Sequence, residues 1–325
     1  MKRNTGDPTA SGTDKICMQN DALAITILPA AGGNIPELID RRTGRNWFWQ
    51  NPHIPITDDR QGEDYGRDLD SGGWDEVLLS ISPDQLDVPN GLGRRISDHG
   101  DLLRQHWAAE RINDQHGNDC CVMSVAGQTL AYEFRRIITL QRDRPRLEFA
   151  YGLRNNENFS WPWYWTAHAL LDAQPNMKIN LPQGLPFHID NDPPGLDCAR
   201  EWPAMKTEHG ESIDLSASFA MSDDTRYFAS KVFVRSPDSG SVDVTISDSS
   251  ERLTMQFDPE VLPWLGLWIN NRGWSGCGSD PYLNLGLEPA TTPYDSVSQA
   301  IDNDAAIWLE PGESRQWSLT VELSA

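Results

Sequence analysis

Three short segments hold the residues whose types and setting suit proton chemistry. In Ser97-Asp98-His99-Gly100-Asp101 a histidine precedes a glycine in a turn-like context, from which an imidazole can project into a cleft. In Trp163-Tyr164-Trp165-Thr166-Ala167-His168 a second histidine follows an aromatic run. An apolar surround there favours the neutral ring and brings its pKa below the ordinary value of about 6.5. In Leu285-Gly286-Leu287-Glu288-Pro289 a carboxylate lies between leucines. The proline is expected to end strand pairing, which places Glu288 at an edge or strand end beside a cleft. Histidine and carboxylate are the usual partners of general acid–base catalysis. Each segment also has a plain structural alternative: a turn histidine bonded to backbone, a satisfied core histidine, and a surface glutamate.

Other chemistries lack their motifs. The sequence has no HExxH, no GxSxG elbow, no P-loop and no strand-following GxGxxG. Its five cysteines, Cys17, Cys120, Cys121, Cys198 and Cys277, are odd in number and form no CxxC. Neither a zinc site nor a disulfide framework is expected, and reduced cysteines fit a cytoplasmic protein. No cofactor and no metal is implied. The formal net charge of −21 repels phosphate backbones and acidic membrane surfaces, so nucleic-acid and membrane partners are disfavoured. Residues 1–15 contain no apolar run of the signal-peptide kind and are read as a disordered tail.

The elements that must carry these residues are strands. Leu23–Ile27 puts its apolar side on odd positions. Ser241–Ile246, Leu253–Phe257 and Trp317–Leu323 alternate in the same way, each with one face for a core and one for water. Turn clusters such as Ala31-Gly32-Gly33-Asn34, Asp192-Pro193-Pro194-Gly195 and Pro237-Asp238-Ser239-Gly240 separate the runs. No repeat and no low-complexity linker divides the chain, so residues 16–325 are expected to form one all-β domain, a large antiparallel sandwich with few short helices. The 13 tryptophans are mostly core candidates, but flat aromatics also stack on sugar C–H faces, and a few are candidates for that.

Taken in order, these segments resemble the aldose 1-epimerases, of the galactose mutarotase-like superfamily, from about residue 22 onward. Ile25 to Gly33, with Leu38-Ile39-Asp40 and Thr43-Gly44, is similar to the family's first hairpin. Gly72-Gly73-Trp74-Asp75-Glu76 resembles a glycine-rich segment of divergent members. Asp98-His99-Gly100, Trp165-Thr166-Ala167-His168 and Leu287-Glu288-Pro289 resemble its two histidine elements and the surround of its catalytic glutamate. The closing Leu309-Glu310-Pro311-Gly312-Glu313 fits as well. One element departs: the family's Asn-Arg-Ile-type segment is missing, and neither Asp59-Arg60 nor Gly66-Arg67 replaces it.

The resemblance implies interconversion of sugar anomers by ring opening, with Glu288 as base, His168 as acid at the ring oxygen and His99 assisting by a hydrogen bond. It implies a sugar substrate, a hexose or a modified sugar. Candidate substrate contacts are Trp74, Asp75, Trp165, Trp268, Asn270 and Arg104. Arg94, Arg95 and Arg104 flank His99 and would suit an anionic substituent. Two other readings stay open: a non-catalytic carbohydrate-binding protein on the same sandwich, and a lyase or glycoside hydrolase on a related one.

Overall fold

In a computed structural model, residues 15–58, 60–88, 93–189, 200–206, 212–219, 227–247 and 249–324 are described. The N-terminal tail up to residue 14, Asp59, the turn at 192–195, Cys198 and His209 lie outside the described residues. The four alternating runs behave as their patterns require. Leu23, Ile25 and Ile27 are buried, as are Val242, Val244 and Ile246, then Leu253, Met255 and Phe257, and finally Trp317, Leu319, Val321 and Leu323. Each such side chain contributes roughly 1.5–3 kcal/mol when fully removed from water.

Two antiparallel sheets carry the structure. The larger, of eleven strands, runs in the order Ile16–Gln19, Leu23–Leu28, Asn34–Asp40, Trp74–Leu78, Trp165–Asp172, Leu283–Ala290, Trp264–Asn271, Phe228–Arg235, Pro186–Ile189 and Arg200–Glu201, with Arg45–Asn46 paired to Asn34–Asp40. The smaller has eight strands, with Ser314–Ser324 between Arg252–Phe257 and Arg146–Asn155. The apolar core lies between them: Leu171, Leu285, Leu287, Leu267 and Val232 from the large sheet join Phe149, Leu319 and Met255 from the small one. Helix is scarce. The α-helix Val297–Asp302 is capped by Ser296, whose hydroxyl accepts from the Gln299 N–H, and a π-helical turn spans Tyr65–Leu69. This is an all-β sandwich of antiparallel sheets. No helix among the described residues is long and apolar enough to cross a membrane.

Cys120 and Cys121 are both buried on the strand Asp119–Ala126 and unbridged; the exposed Cys17 and the partly buried Cys277 are unbridged too. Among the described residues no histidine, cysteine and carboxylate group is arranged to hold a metal.

Candidate active site

Strand alternation decides which side chains of the large sheet reach the core and which reach the opposite face. In Trp165–Asp172, the odd positions Trp165, Ala167, Ala169 and Leu171 enter the core. Thr166, His168 and Leu170 therefore face the other way. The register sets Asp75 opposite His168, Lys231 opposite Trp268 and Gly266 opposite Glu288. Thr166 lies opposite Ala290 and Ala169 opposite Leu287, which brings His168 and Glu288 to the same point between them. A cavity of about 530 Å³ opens on this face, within the range of small-molecule sites. His99, His168, Glu288, Lys231, Trp268, Trp274, Tyr65, Asp70 and Asp295 are in its wall.

Glu288 sits in the middle of the sheet and not at a strand end. Its strand continues through Pro289 to Ala290, with Leu265 opposite Pro289. The missing proline N–H falls where pairing with Trp165–Asp172 is interrupted, between Thr166 and Ala169, and Thr166 Oγ1 donates to Pro289 O at 3.1 Å. Two glycines make room for the carboxylate. A Cβ at Gly286 would lie 2.5 Å from Glu288 Oε1, and one at Gly266 would lie 3.2 Å from Glu288 Cβ.

The carboxylate is divided between two tasks. Oε2 accepts from Lys231 Nζ. Oε1 has no hydrogen-bond partner among the described residues and lies 3.8 Å from His168 Nε2. Burial pushes the Glu288 carboxyl up, but Lys231 and His168 outweigh it and hold the group below its ordinary value. Burial dominates for His168 and drives its pKa down to about 4, against the attraction of Glu288. The downward direction matches the sequence expectation. Its extent means that this histidine is neutral at pH 7 instead of switching there, so what it can offer a ligand is a neutral ring and not an imidazolium.

His99 is held by a strained turn. It adopts φ 59° and Gly100 follows at φ 68°. The left-handed conformation costs a non-glycine residue of order 1–3 kcal/mol. Several bonds hold it there. The His99 N–H donates to Ile81 O at 2.6 Å and the Gly100 N–H to Ser97 O at 2.8 Å. Gly100 packs so closely on Leu78 O that a Cβ would collide with it. The ring Nδ1–H donates to Asp98 Oδ1 at 2.7 Å, which leaves Nε2 to meet a ligand hydroxyl.

Of the substrate contacts expected from sequence, Trp268 lines the cavity and the other five do not. Trp74 and Trp165 have the core parity of their strands. Trp74 stacks on Phe149 at 4.6 Å, and Trp165 Nε1 donates to Glu76 Oε2 at 3.1 Å. Asp75 has the cavity parity but lies beneath the wall, bound twice by Arg60 at 2.6 and 2.8 Å and by Asn34 at 2.9 Å. Asn270 shapes the loop behind the wall: its side chain donates to Trp274 O and accepts from the Gly273 and Trp274 N–H groups. Arg104 donates to Asp98 O and Gly100 O at 2.7 and 2.6 Å, so it clamps the His99 turn and is not offered to a ligand. Arg94 pairs with Glu157, and neither it nor Arg95 reaches the cavity.

Sequence reasoning passed over Lys231, Tyr65, Asp70 and Asp295. Lys231 carried a signal, as a lysine set directly before the apolar run Val232-Phe233-Val234 of the strand Phe228–Arg235. Tyr65 carried none, lying in a polar loop sequence. Trp274 stands at 90° to Trp268, with ring centroids 5.6 Å apart, and extends the aromatic wall.

Similar architectures recur among solved structures. A galactose mutarotase-like protein from Lactobacillus casei superposes with a TM-score of 0.65 at 14% identity, covering 95% of this chain and 100% of that one. This chain has the galactose mutarotase-like fold. The galactose mutarotase related enzyme from Lactobacillus acidophilus gives a TM-score of 0.64 at 12% identity, covering 96% and 97%. A Klebsiella pneumoniae protein described as a candidate aldose 1-epimerase gives 0.67 at 15%, covering 94% and 77%. No family model and no curated protein matches at the sequence level. At such identities the likeness fixes the fold and leaves chemistry to the residues.

Proposed function

We propose that the protein interconverts the α and β anomers of an uncharged sugar by opening and reclosing its ring. The observation that carries this reading is the free Glu288 Oε1 facing His168 Nε2 across 3.8 Å in an aromatic-walled cavity. Glu288 Oε1 takes the proton of the anomeric hydroxyl. The C1–O5 electron pair moves to the ring oxygen, and His168 Nε2–H donates to that oxygen and supplies its proton. While the aldehyde is open, the proton returns from Glu288 to His168 across the gap. Rotation about C1–C2 exposes the other carbonyl face. The proton passes back from His168 to Glu288, which gives it to the carbonyl oxygen while His168 Nε2 takes the proton of the ring-oxygen hydroxyl, and the ring closes. Each positioned group is worth on the order of 10²–10⁴-fold.

The wall supports an uncharged substrate. Arg60 and Arg104 are bound to Asp75 and to backbone carbonyls, and Lys231 is bound to Glu288 and lies 3.7 Å from Asp295. Asp64 and Asp98 add further acid to the lining, and Asp70 adds a carboxyl that burial pushes up to about 7. A phosphate or sulfonate entering here would meet carboxylates.

One feature favours a second reading, sugar binding without catalysis: Lys231 lowers the basicity of Glu288. Proton NMR of freshly dissolved α-anomers separates the two. Acceleration of anomer exchange for glucose, galactose or another neutral sugar supports the enzyme. Saturable binding of such a sugar with exchange at the buffer rate supports the binding protein and refutes the enzyme.

A further inference from the structure

One side chain touches both histidines of the cavity. The Tyr65 ring stacks on His99 with centroids 3.7 Å apart and meets His168 edge-on at 5.4 Å. Its hydroxyl is 3.5 Å from His168 Nδ1 and 3.5 Å from Asp75 Oδ2. The residue opens the π-helical turn Tyr65–Leu69, and Leu69 and Leu103 pack around it. Its N–H donates to Asp98 Oδ2 at 2.8 Å, so the carboxylate that holds His99 also holds Tyr65.

The phenol has one proton and three groups around it that can take it: His168 Nδ1, Asp75 Oδ2 and the Asp70 carboxyl. Burial pushes the Asp70 carboxyl up to about 7, so near neutrality it carries its own proton part of the time and competes less than a full carboxylate would. Asp75 already accepts from Arg60 on both oxygens and from Asn34 on Oδ1. His168 stands differently. Its Nε2 faces the Glu288 carboxylate, which attracts a proton on that nitrogen and repels a lone pair. With the proton on Nε2, Nδ1 is a buried acceptor that needs a donor. The donor at hand is the Tyr65 hydroxyl. Burial, with Asp70 and Asp75 adding to it, pushes the phenol well above its ordinary pKa, so it keeps its proton and serves as a fixed donor.

We propose that Tyr65 is a positioning residue that donates to His168 Nδ1 and so fixes the Nε2–H tautomer, turning the imidazole proton toward the ring oxygen of the bound sugar. The proposal rests on the acid–base reading above for its catalytic consequence, while the tautomer itself can be read without turnover. Tyr65→Phe keeps the stack on His99 and the contacts with Leu69 and Leu103, and removes only the hydroxyl.

The test uses the full chain labelled with ¹⁵N-histidine, with His168→Gln to assign the resonance. Long-range ¹H–¹⁵N correlation reads the tautomer, and anomer-exchange kinetics are run alongside. Expected are Nε2 protonation in the wild type, a shift toward Nδ1–H in Tyr65→Phe, and a kcat lower by on the order of tenfold to a hundredfold with KM little changed. A wild-type His168 protonated at Nδ1, or a tautomer unmoved in a folded Tyr65→Phe, overturns the proposal whatever the activity. If the wild type shows Nε2–H yet accelerates no sugar, the tautomer assignment stands. The role toward a ring oxygen then falls with the acid–base reading.

Discussion

Glu76 and Glu288 are both fully buried carboxylates of the same sheet, each beside a cation, and they are finished differently. Glu76 enters the core between the sheets. Its Oε1 accepts from Arg136 at 2.9 Å and from Tyr151 at 3.0 Å, and its Oε2 from Trp165 at 3.1 Å. Glu288 faces the cavity with one oxygen on Lys231 and the other bare. Burial wins at Glu76 and its carboxyl is raised; Lys231 and His168 win at Glu288 and it is lowered. Counting bonds would have ranked them the other way. A carboxylate whose bonds are complete has a structural part to play, while one kept ionised with an unused lone pair toward a cavity is ready to accept a proton.

Breaking the core pair should cost most in stability. Arg136→Leu leaves Glu76 buried and uncompensated, which is expected to destabilise the fold by about 3–5 kcal/mol. Chemical denaturation reads this, and any folded fraction should retain its anomer-exchange rate per active molecule. The mirror change in the cavity, Lys231→Met, should act on pH instead. In the proposed mechanism, activity needs ionised Glu288, held below its ordinary value, and neutral His168, at about 4. It should therefore be flat through neutrality and fall only as the pH drops through about 4. Without Lys231 the upward push of burial is unopposed by its nearest cation. The acid limb should then move up by about one pH unit or more; an unmoved limb would separate Lys231 from Glu288. The smallest change is Gly286→Ala. Its methyl would lie 2.5 Å from Glu288 Oε1 and 2.9 Å from Trp268 Cβ. A loss of about tenfold in kcat/KM is expected from displacement of the carboxylate, with Tm little changed.

The sheet architecture was legible in the sequence because period-two alternation is local, and a half-buried strand cannot hide it. Val242, Val244 and Ile246 could be placed inside from their spacing alone. His99, His168 and Glu288 were legible as a set through the resemblance, and they line one cavity. Trp74 and Trp165 were misplaced, and parity could have warned of it. If His168 faces a cleft, Trp165, three residues away on the same strand, faces the core. Arg104 and Asn270 were chosen for chemistry that the fold uses on backbone carbonyls and N–H groups, bonds fixed only once the loops close. Glu288 was expected at a strand end because proline lacks an N–H, but an interruption of pairing accommodates Pro289 within the sheet. Tyr65 depends on a loop folding back across 33 and 103 residues to Asp98 and His168, a separation that no local pattern records.

The most direct test of the central claim compares wild type with Glu288→Gln, a change that keeps the shape and removes the base. Anomer exchange of a neutral sugar is followed by proton NMR, with thermal melting on the same samples. The account predicts a rate lower by on the order of 10²–10⁴-fold in a variant that melts near the wild type. Wild-type turnover in folded Glu288→Gln would contradict it.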